Sequence, residues 1–350
     1  MTPPRPNRRH AALLVAAGLV LVSLAGCSGS EEPPASGKDG SVGSKSTVTA
    51  PAGTWSFTDD RGETVTLDEA PKVIAADAAT AGGLWEYGID VDGGVFGDLV
   101  LPDGTPSPGI GLASPDDFES VGNATQVNLE ELAAKRPDVI VGAMWDDEQF
   151  YGIDPEQLDE VAKIAPLIGI RVDDRKVTEP LARVAELAES LGADPDGKIA
   201  DAKAAFDASS RAFTKANEAK PDLLTAAVSG SATEMYVAYP PKWPDLSYYQ
   251  ELGMNLVEPK DHPTAGGFWE TLSWEEAGTY PVDLVMADGR GGSLGSIKEQ
   301  IPAVALSMPA LAADQIVIWP AVHAYGYGYF ATILDNLTKA VDDADPEVNR

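Results

Sequence analysis

Residues 193–220 read ADPDGKIADAKAAFDASSRAFTKANEAK. Asp194 before Pro195 suits an N-cap and a first helical position, and the stretch stops where Lys220 meets Pro221. Ile199, Phe206 and Phe213 recur every seven residues with Ala202, Ala205, Ala212 and Ala216 between them, while Lys, Asp and Asn take the other face. That is one apolar stripe on a long helix. At ~1.5 Å per residue about 25 residues reach roughly 37 Å, the width of a small domain. The chain before and after reads as two α/β units of similar make-up. The expectation is a strut joining two lobes; one more surface helix on a single large domain is the competing reading.

Working outward, Asn128–Met144 reads NLEELAAKRPDVIVGAM. Asn128 with Glu131 fits a capping box, Pro137 stops the helix, and Asp138–Val141 is a buried strand of the parallel kind. The unit returns 145 residues later as Ser273-Trp274-Glu275-Glu276, then Tyr280-Pro281, then Asp283-Leu284-Val285-Met286. Glu130 to Asp138 and Glu275 to Asp283 are both eight residues apart. Two copies of one unit on either side of the long helix argue for two lobes of like design. The caps engage Glu131 and Glu276, which leaves Glu130 and Glu275 pointing outward. Acidic first turns are also what a helix dipole favours for its own sake.

The totals set limits. The chain has 350 residues with 25 basic and 55 acidic side chains, enough for two ordinary cores. Removing Arg5, Arg8 and Arg9 with a leader leaves 22 basic against 55 acidic residues, a formal −33. Such a charge is repelled by phosphate backbones, which excludes a nucleic-acid function. One cysteine excludes intrachain disulfides and cysteine metal clusters. Residues 1–10 are basic and Ala11–Gly26 is a run of small and apolar residues broken by Ser23. That run is too short to span a bilayer and long enough for the apolar part of a secretory signal. From Ser28 to about Gly53 there is almost nothing to bury, as in a flexible tether.

In the first lobe, Trp55–Leu67 alternates around Asp59-Asp60-Arg61-Gly62 as a hairpin, and Pro71–Asp77 is a buried strand followed by a short helix to Tyr87. Val95–Leu99 and Ile164–Ile170 read as further strands, and Thr178–Leu191 as an amphipathic helix. In the second, Leu223–Ser229, Met235–Ala238, Asn255–Val257 and Ile316–Trp319 read as strands, with a terminal helix to about Val341. Rings gather in loops at strand ends, where open α/β sheets meet their ligands: Trp145, Tyr239, Trp243, Trp269, Tyr325 and Tyr327. Arg290 follows a strand in the glycine-rich loop Gly289–Gly292 and offers a donor able to hold two oxygens at once. Packing for Trp145 and a surface ion pair for Arg290 are the plain alternatives. His262 and His323 are too few for the usual zinc site, so no metal site is expected, and His323 reads as a cleft-wall donor.

PKVIAADAATAGGLWEYG, VNLEELAAKRPDVIV and ETLSWEEAGTYPVDLVMADG resemble the substrate-binding proteins of ferric-siderophore, haem and cobalamin ABC importers, over roughly Trp55 to Ala340. Leu24-Ala25-Gly26-Cys27 resembles the lipobox of bacterial lipoproteins, with Cys27 the acylated first mature residue. The resemblance implies an α/β fold of two lobes, each a central mainly parallel sheet flanked by helices, joined by one long helix. Its parts would be a signal peptide (1–26), a lipidated cysteine and tether (27–53), an N-terminal lobe (54–193), the inter-lobe helix (194–220) and a C-terminal lobe (221–350). Glu130 and Glu275 fall where that family docks on arginine sockets of two permease subunits. One departure stands out: Ala81-Gly82 replaces the Thr-Glu frequent in the family's first helix. The implied protein is a monomeric, lipid-anchored, extracytoplasmic binding protein with no catalytic residues and no resident cofactor. It would deliver a ferric siderophore, hydroxamate rather than catecholate on charge grounds. Cobalamin, haem or a free metal ion are the alternative cargoes. No nucleophile elbow, zinc-protease motif or phosphate loop supports an enzyme.

Overall fold

The computed structural model describes residues 53–145, 149–260 and 267–350. Strands β1 (Trp55–Thr58) and β2 (Thr64–Leu67) form the expected antiparallel hairpin. Its turn seals a sheet edge. The Asp59 carboxylate accepts from the Gly169 amide at 2.8 Å, and the Asp60 carboxylate from the Arg171 amide at 2.9 Å. Gly169 and Arg171 belong to β6 (Leu167–Arg171), the last strand of the N-terminal sheet, so two side chains take the amides of an otherwise open edge. Arg183 on α4 (Thr178–Ser190) bonds Asp60 at 2.8 Å and lies over the Phe57 ring, pinning the hairpin from behind.

The N-terminal lobe has four parallel strands in the order β4 (Val95–Phe96), β3 (Ile74–Asp77), β5 (Val139–Met144), β6. Helices α1 (Ala78–Glu86), α2 (Leu129–Lys135), α3 (Leu158–Ile164) and α4 connect or flank them. The C-terminal lobe has a separate six-stranded sheet. Its path is β10 (Trp269–Ser273), β8 (Glu234–Ala238), β7 (Leu224–Gly230), β11 (Leu284–Asp288) and β12 (Ile316–Trp319). Strand β9 (Asn255–Leu256) pairs with the start of β7. Here β7, β9, β11 and β12 are parallel, while β8 runs antiparallel to β7 and pairs antiparallel with β10 at the edge.

The repeated unit holds at the level of atoms. The Asp138 amide donates to the Val73 carbonyl while its carboxylate accepts from the Lys72 and Val73 amides. In the other lobe the Asp283 amide donates to the Leu224 carbonyl while its carboxylate accepts from the Leu224 amide. Each aspartate therefore fixes the register of two neighbouring parallel strands at their entry. The helices before them differ. Leu129–Lys135 is α-helical and Asn128 takes the Glu130 and Glu131 amides, whereas Trp274–Thr279 is a 3₁₀ segment. The reciprocal glutamate bond exists in the second copy, where the Glu276 carboxylate accepts from the Ser273 amide and hydroxyl. In the first copy the Asn128 amide donates to Val121 instead.

The strut is shorter than its sequence pattern. Asp194 does cap the start, but Gly197 at ψ −120° breaks the helical path, and the regular helix α5 covers Ala200–Ala219. Those 20 residues span roughly 30 Å. Nor is it a bare rod. Phe206 packs on Tyr248, Tyr327 and Phe330, and Phe213 on Tyr249. Tyr327 and Phe330 lie on the terminal helix α9 (Tyr327–Asp343), and Tyr248 and Tyr249 on α6 (Pro244–Glu251). The seven-residue aromatic spacing thus reports the partner helices.

Helix α9 is capped at both ends by other elements. Glu86, at the end of α1, accepts from the Gly328 amide at 2.7 Å and the Tyr329 amide at 2.9 Å, and the Tyr87 hydroxyl accepts from the Tyr327 amide. At the other end the Lys220 ammonium donates to the carbonyls of Val341, Asp342 and Ala344. An anion at the amino end and a cation at the carboxyl end match the helix dipole. One continuous apolar core runs from β3 and β5 through α5 and α9 to β11 and β12, so the lobes are joined by more than α5.

Candidate functional site

Trp145 leaves the carboxyl end of β5. Its ring meets Trp243 edge-on at 5.8 Å and Phe268 at 5.8 Å, both from the other lobe. Trp243 is the hub. It touches Phe268 (5.3 Å), Trp269 (5.0 Å) and Trp319 (4.8 Å), and its indole N–H bonds the Phe268 carbonyl. The result is a seam of edge-to-face rings between the lobes, with Trp145, Trp269 and Phe268 half-buried and Trp243 and Trp319 buried. Below it the Asp245 carboxylate accepts from the Trp319 indole at 2.5 Å. Burial pushes the pKa of Asp245 up to about 7.

Arg290 sits at the edge of this seam, its guanidinium 6.0 Å from the Trp243 ring and 5.9 Å from Trp269. Its Nε and Nη2 are engaged by the Asp288 carboxylate at 2.5–3.0 Å. Asp288 is buried at the carboxyl end of β11, so the cation is held by its own strand and its charge largely offset. Among the described residues Nη1 makes no hydrogen bond. Tyr151, from the opposite lobe, lies within electrostatic reach of Arg290 and Asp288, and burial raises its phenol to about 12, so it stays a neutral donor. Lys242 at the rim is paired with Asp174 across the lobes at 3.1 Å.

The floor of the cleft is a tight joint. The buried Asp77 carboxylate accepts from the Ala79 and Thr80 amides, the Thr80 hydroxyl and the Ala143 amide, tying the β3–α1 junction to the end of β5 beside Trp145. A Cβ on Gly82 would come 2.7 Å from the Ile110 carbonyl carbon, and one on Gly83 2.5 Å from the Tyr325 carbonyl oxygen. These glycines let α1 lie flush against the Ile110 backbone of its own lobe and against Ala324 and Tyr325 of the other. The Ala81-Gly82 departure has its reason there: a glutamate has no room.

Of the residues expected in the cleft, Trp145, Trp243, Trp269 and Arg290 come together. Tyr239 is half-buried beside them, its amide on the Phe268 carbonyl. Three expectations need correction. Tyr327 faces away, packed on Phe206 with Lys203 over its ring. His323 is buried against Tyr325 and Phe330, its Nδ1 on the Ala324 carbonyl, and burial lowers its pKa to about 4. Tyr325 is likewise buried beneath the seam, its amide bound to Ala79. Glycines 326 and 328 direct this segment inward against Glu86. Trp319, Phe268 and Tyr151 were missed, although each adjoins a loop assigned to the cleft. Glu130 and Glu275 are both exposed. His262, Cys27 and Asp146–Glu148 lie outside the described residues.

A family model described as periplasmic binding protein matches residues 88–322. The chain belongs to that family. Members of this family are substrate-binding proteins and not enzymes, and they work outside the cytoplasm. Among solved structures, DesE, a ferric-siderophore receptor protein from Streptomyces coelicolor, is similar at 36% identity and a TM-score of 0.78. The match covers 83% of this chain and 99% of DesE. The petrobactin-binding protein YclQ from Bacillus subtilis matches at 17% identity and a TM-score of 0.65, covering 83% of this chain and 99% of its own. The catecholate-siderophore binding protein VctP from Vibrio cholerae matches at 16% and 0.58, covering 82% and 99%. At those identities the latter two show the shared fold alone. Comparison with curated proteins gives no match.

Proposed function

We propose that this periplasmic binding protein captures a ferric siderophore of the hydroxamate type in the aromatic seam and passes it to an ABC permease. The observation that carries the reading is the seam itself, five rings with one charge-compensated arginine at the edge, in a chain 36% identical to a ferric-siderophore receptor. Rings suit the apolar rim of a chelate, while Arg290 Nη1 and the Tyr151 hydroxyl offer donors to its metal-bound oxygens. A triply anionic catecholate complex wants uncompensated cations. Here Asp288 offsets Arg290 and Asp174 offsets Lys242. A neutral or cationic complex is the better electrostatic fit. Glu130 and Glu275, exposed in the first turns of the two repeated units, are the proposed contacts with the two permease subunits. Cys27 is the proposed site of lipidation, and the stretch to Gly53 the tether.

The test is native mass spectrometry of protein recovered from iron-starved cells. The reading predicts a co-purifying ferric trihydroxamate; a corrinoid, haem or bare metal ion in its place would overturn it.

A further inference from the structure

A second opening lies on one face of the C-terminal sheet. Along β11, Leu284 and Met286 point into the core shared with α5 and α9, whereas Val285 and Ala287 point the other way. On that second face a pocket of about 580 Å³ is floored by Val228, Val285, Ala287 and Ile316, with Ile297 and Leu311 opposite. Ile297 belongs to α7 (Leu294–Gln300), a helix of seven residues none of which is buried. Leu311 belongs to α8 (Pro309–Ala312), a single turn. Val228, Val285 and Ala287 are themselves buried and Ile316 is half-buried, so what these short pieces leave over the sheet is a cavity and not an open face. Polar groups gather at the rim, in Ser231, Gln300 and the Asp288–Arg290 pair.

Two features say what fits there. Arg290 lines this pocket and also lies over Trp243 and Trp269, so the pocket adjoins the seam through one side chain. The lining also has depth. Asp288 pairs with Trp319 and Val285 with Ile316, so the pocket runs three residues back from the carboxyl strand ends, roughly 10 Å at ~3.3 Å per residue. A deep aliphatic slot with a polar mouth matches a flexible hydrocarbon arm better than a second polar chelating group. We propose that the pocket is a subsite for an acyl chain carried by the chelate, which enters past Arg290 while the metal centre stays against the rings. The proposal rests on the siderophore reading and adds a substrate class, acylated ferric hydroxamates.

The test compares a linear ferric trihydroxamate bearing a free amine with its N-octanoyl derivative, both titrated by tryptophan quenching. Each buried methylene tightens binding about fourfold, so even partial burial of the chain predicts a preference of at least about tenfold for the acylated form. Ile297→Trp and Leu311→Phe fill the slot and should bring the acylated chelate down to the affinity of the unacylated one, whose own binding stays unchanged. Equal affinities for the two chelates in the unmodified protein would overturn the subsite. Failure of both to bind would strike at the siderophore reading instead. Iron-free N-octanoylglycine, followed by the ¹⁹F signal of 5-fluorotryptophan at Trp274 in the pocket wall, then decides the slot separately. A shifted signal upholds an acyl site, and an unmoved one removes it.

Discussion

Glu86→Ala is the most direct test of how the two lobes are joined. Glu86 ends α1 in one lobe, yet its carboxylate takes the Gly328 and Tyr329 amides at the start of α9, in the other. Hydrogen bonds to a charged acceptor contribute about 1.5–3 kcal/mol each, and here two are lost together with a favourable helix-dipole contact. Burial raises the pKa of Glu86, so part of that gain is already spent on desolvating the carboxylate. The expected net loss is roughly 2–4 kcal/mol. Lys220→Met removes three carbonyl contacts from a half-exposed ammonium at the far end and should cost less, about 1–2 kcal/mol. The two sites are separated by the 17 residues of α9, roughly 25 Å, so their effects should add within about 0.5 kcal/mol. Urea denaturation followed by tryptophan fluorescence measures each variant and the double variant. A change below about 0.5 kcal/mol for Glu86→Ala would show that the cap is incidental and refute the reasoning.

Other outcomes follow from the site. Asp245 keeps its proton in the folded protein up to about pH 7, whereas an unfolded aspartate releases it near pH 4, so this group lowers stability as pH rises between those values. Asp245→Asn, which retains an acceptor for the Trp319 indole, should remove that slope, at most about 1.4 kcal/mol per pH unit, in denaturation curves taken from pH 4 to 7; parallel profiles for both proteins would contradict it. Glu130→Ala and Glu275→Ala should leave chelate affinity unchanged, while uptake into permease-containing vesicles falls at least about tenfold for the pair, the loss expected of about 1.4 kcal/mol or more of docking energy. Undiminished uptake would remove the docking role.

The duplicated unit was legible because residues on both sides of its helix do local work: Asp138 and Asp283 fix strand register, and Asn128, Ser273 and Glu276 make the caps. The α-helical period of residues 200–219 was legible for the same reason, since its stripe is buried. What the pattern hid was the break at Gly197, where Asp194 and Pro195 look like a start signal for an unbroken helix but cap only a turn. Tyr325 and Tyr327 illustrate a second limit. An aromatic run after a strand reads as cleft lining, and only the positions of Glu86 and Tyr87, some 240 residues earlier, direct it into the core. Trp319 escaped notice because a strand-terminal tryptophan looks like core, which it is, while also supporting Trp243. Asp288 beside Arg290 was visible in the sequence, but its consequence, a compensated cation, needed the geometry.

The measurement that bears most directly on the account is the pair of dissociation constants for a ferric trihydroxamate and a ferric tricatecholate, in the unmodified protein and in Asp288→Asn. The account predicts tighter binding of the hydroxamate, and a shift toward the catecholate of about tenfold once Arg290 is released from its partner, the equivalent of roughly 1.4 kcal/mol. Tighter catecholate binding by the unmodified protein, or a preference untouched by the substitution, would contradict it.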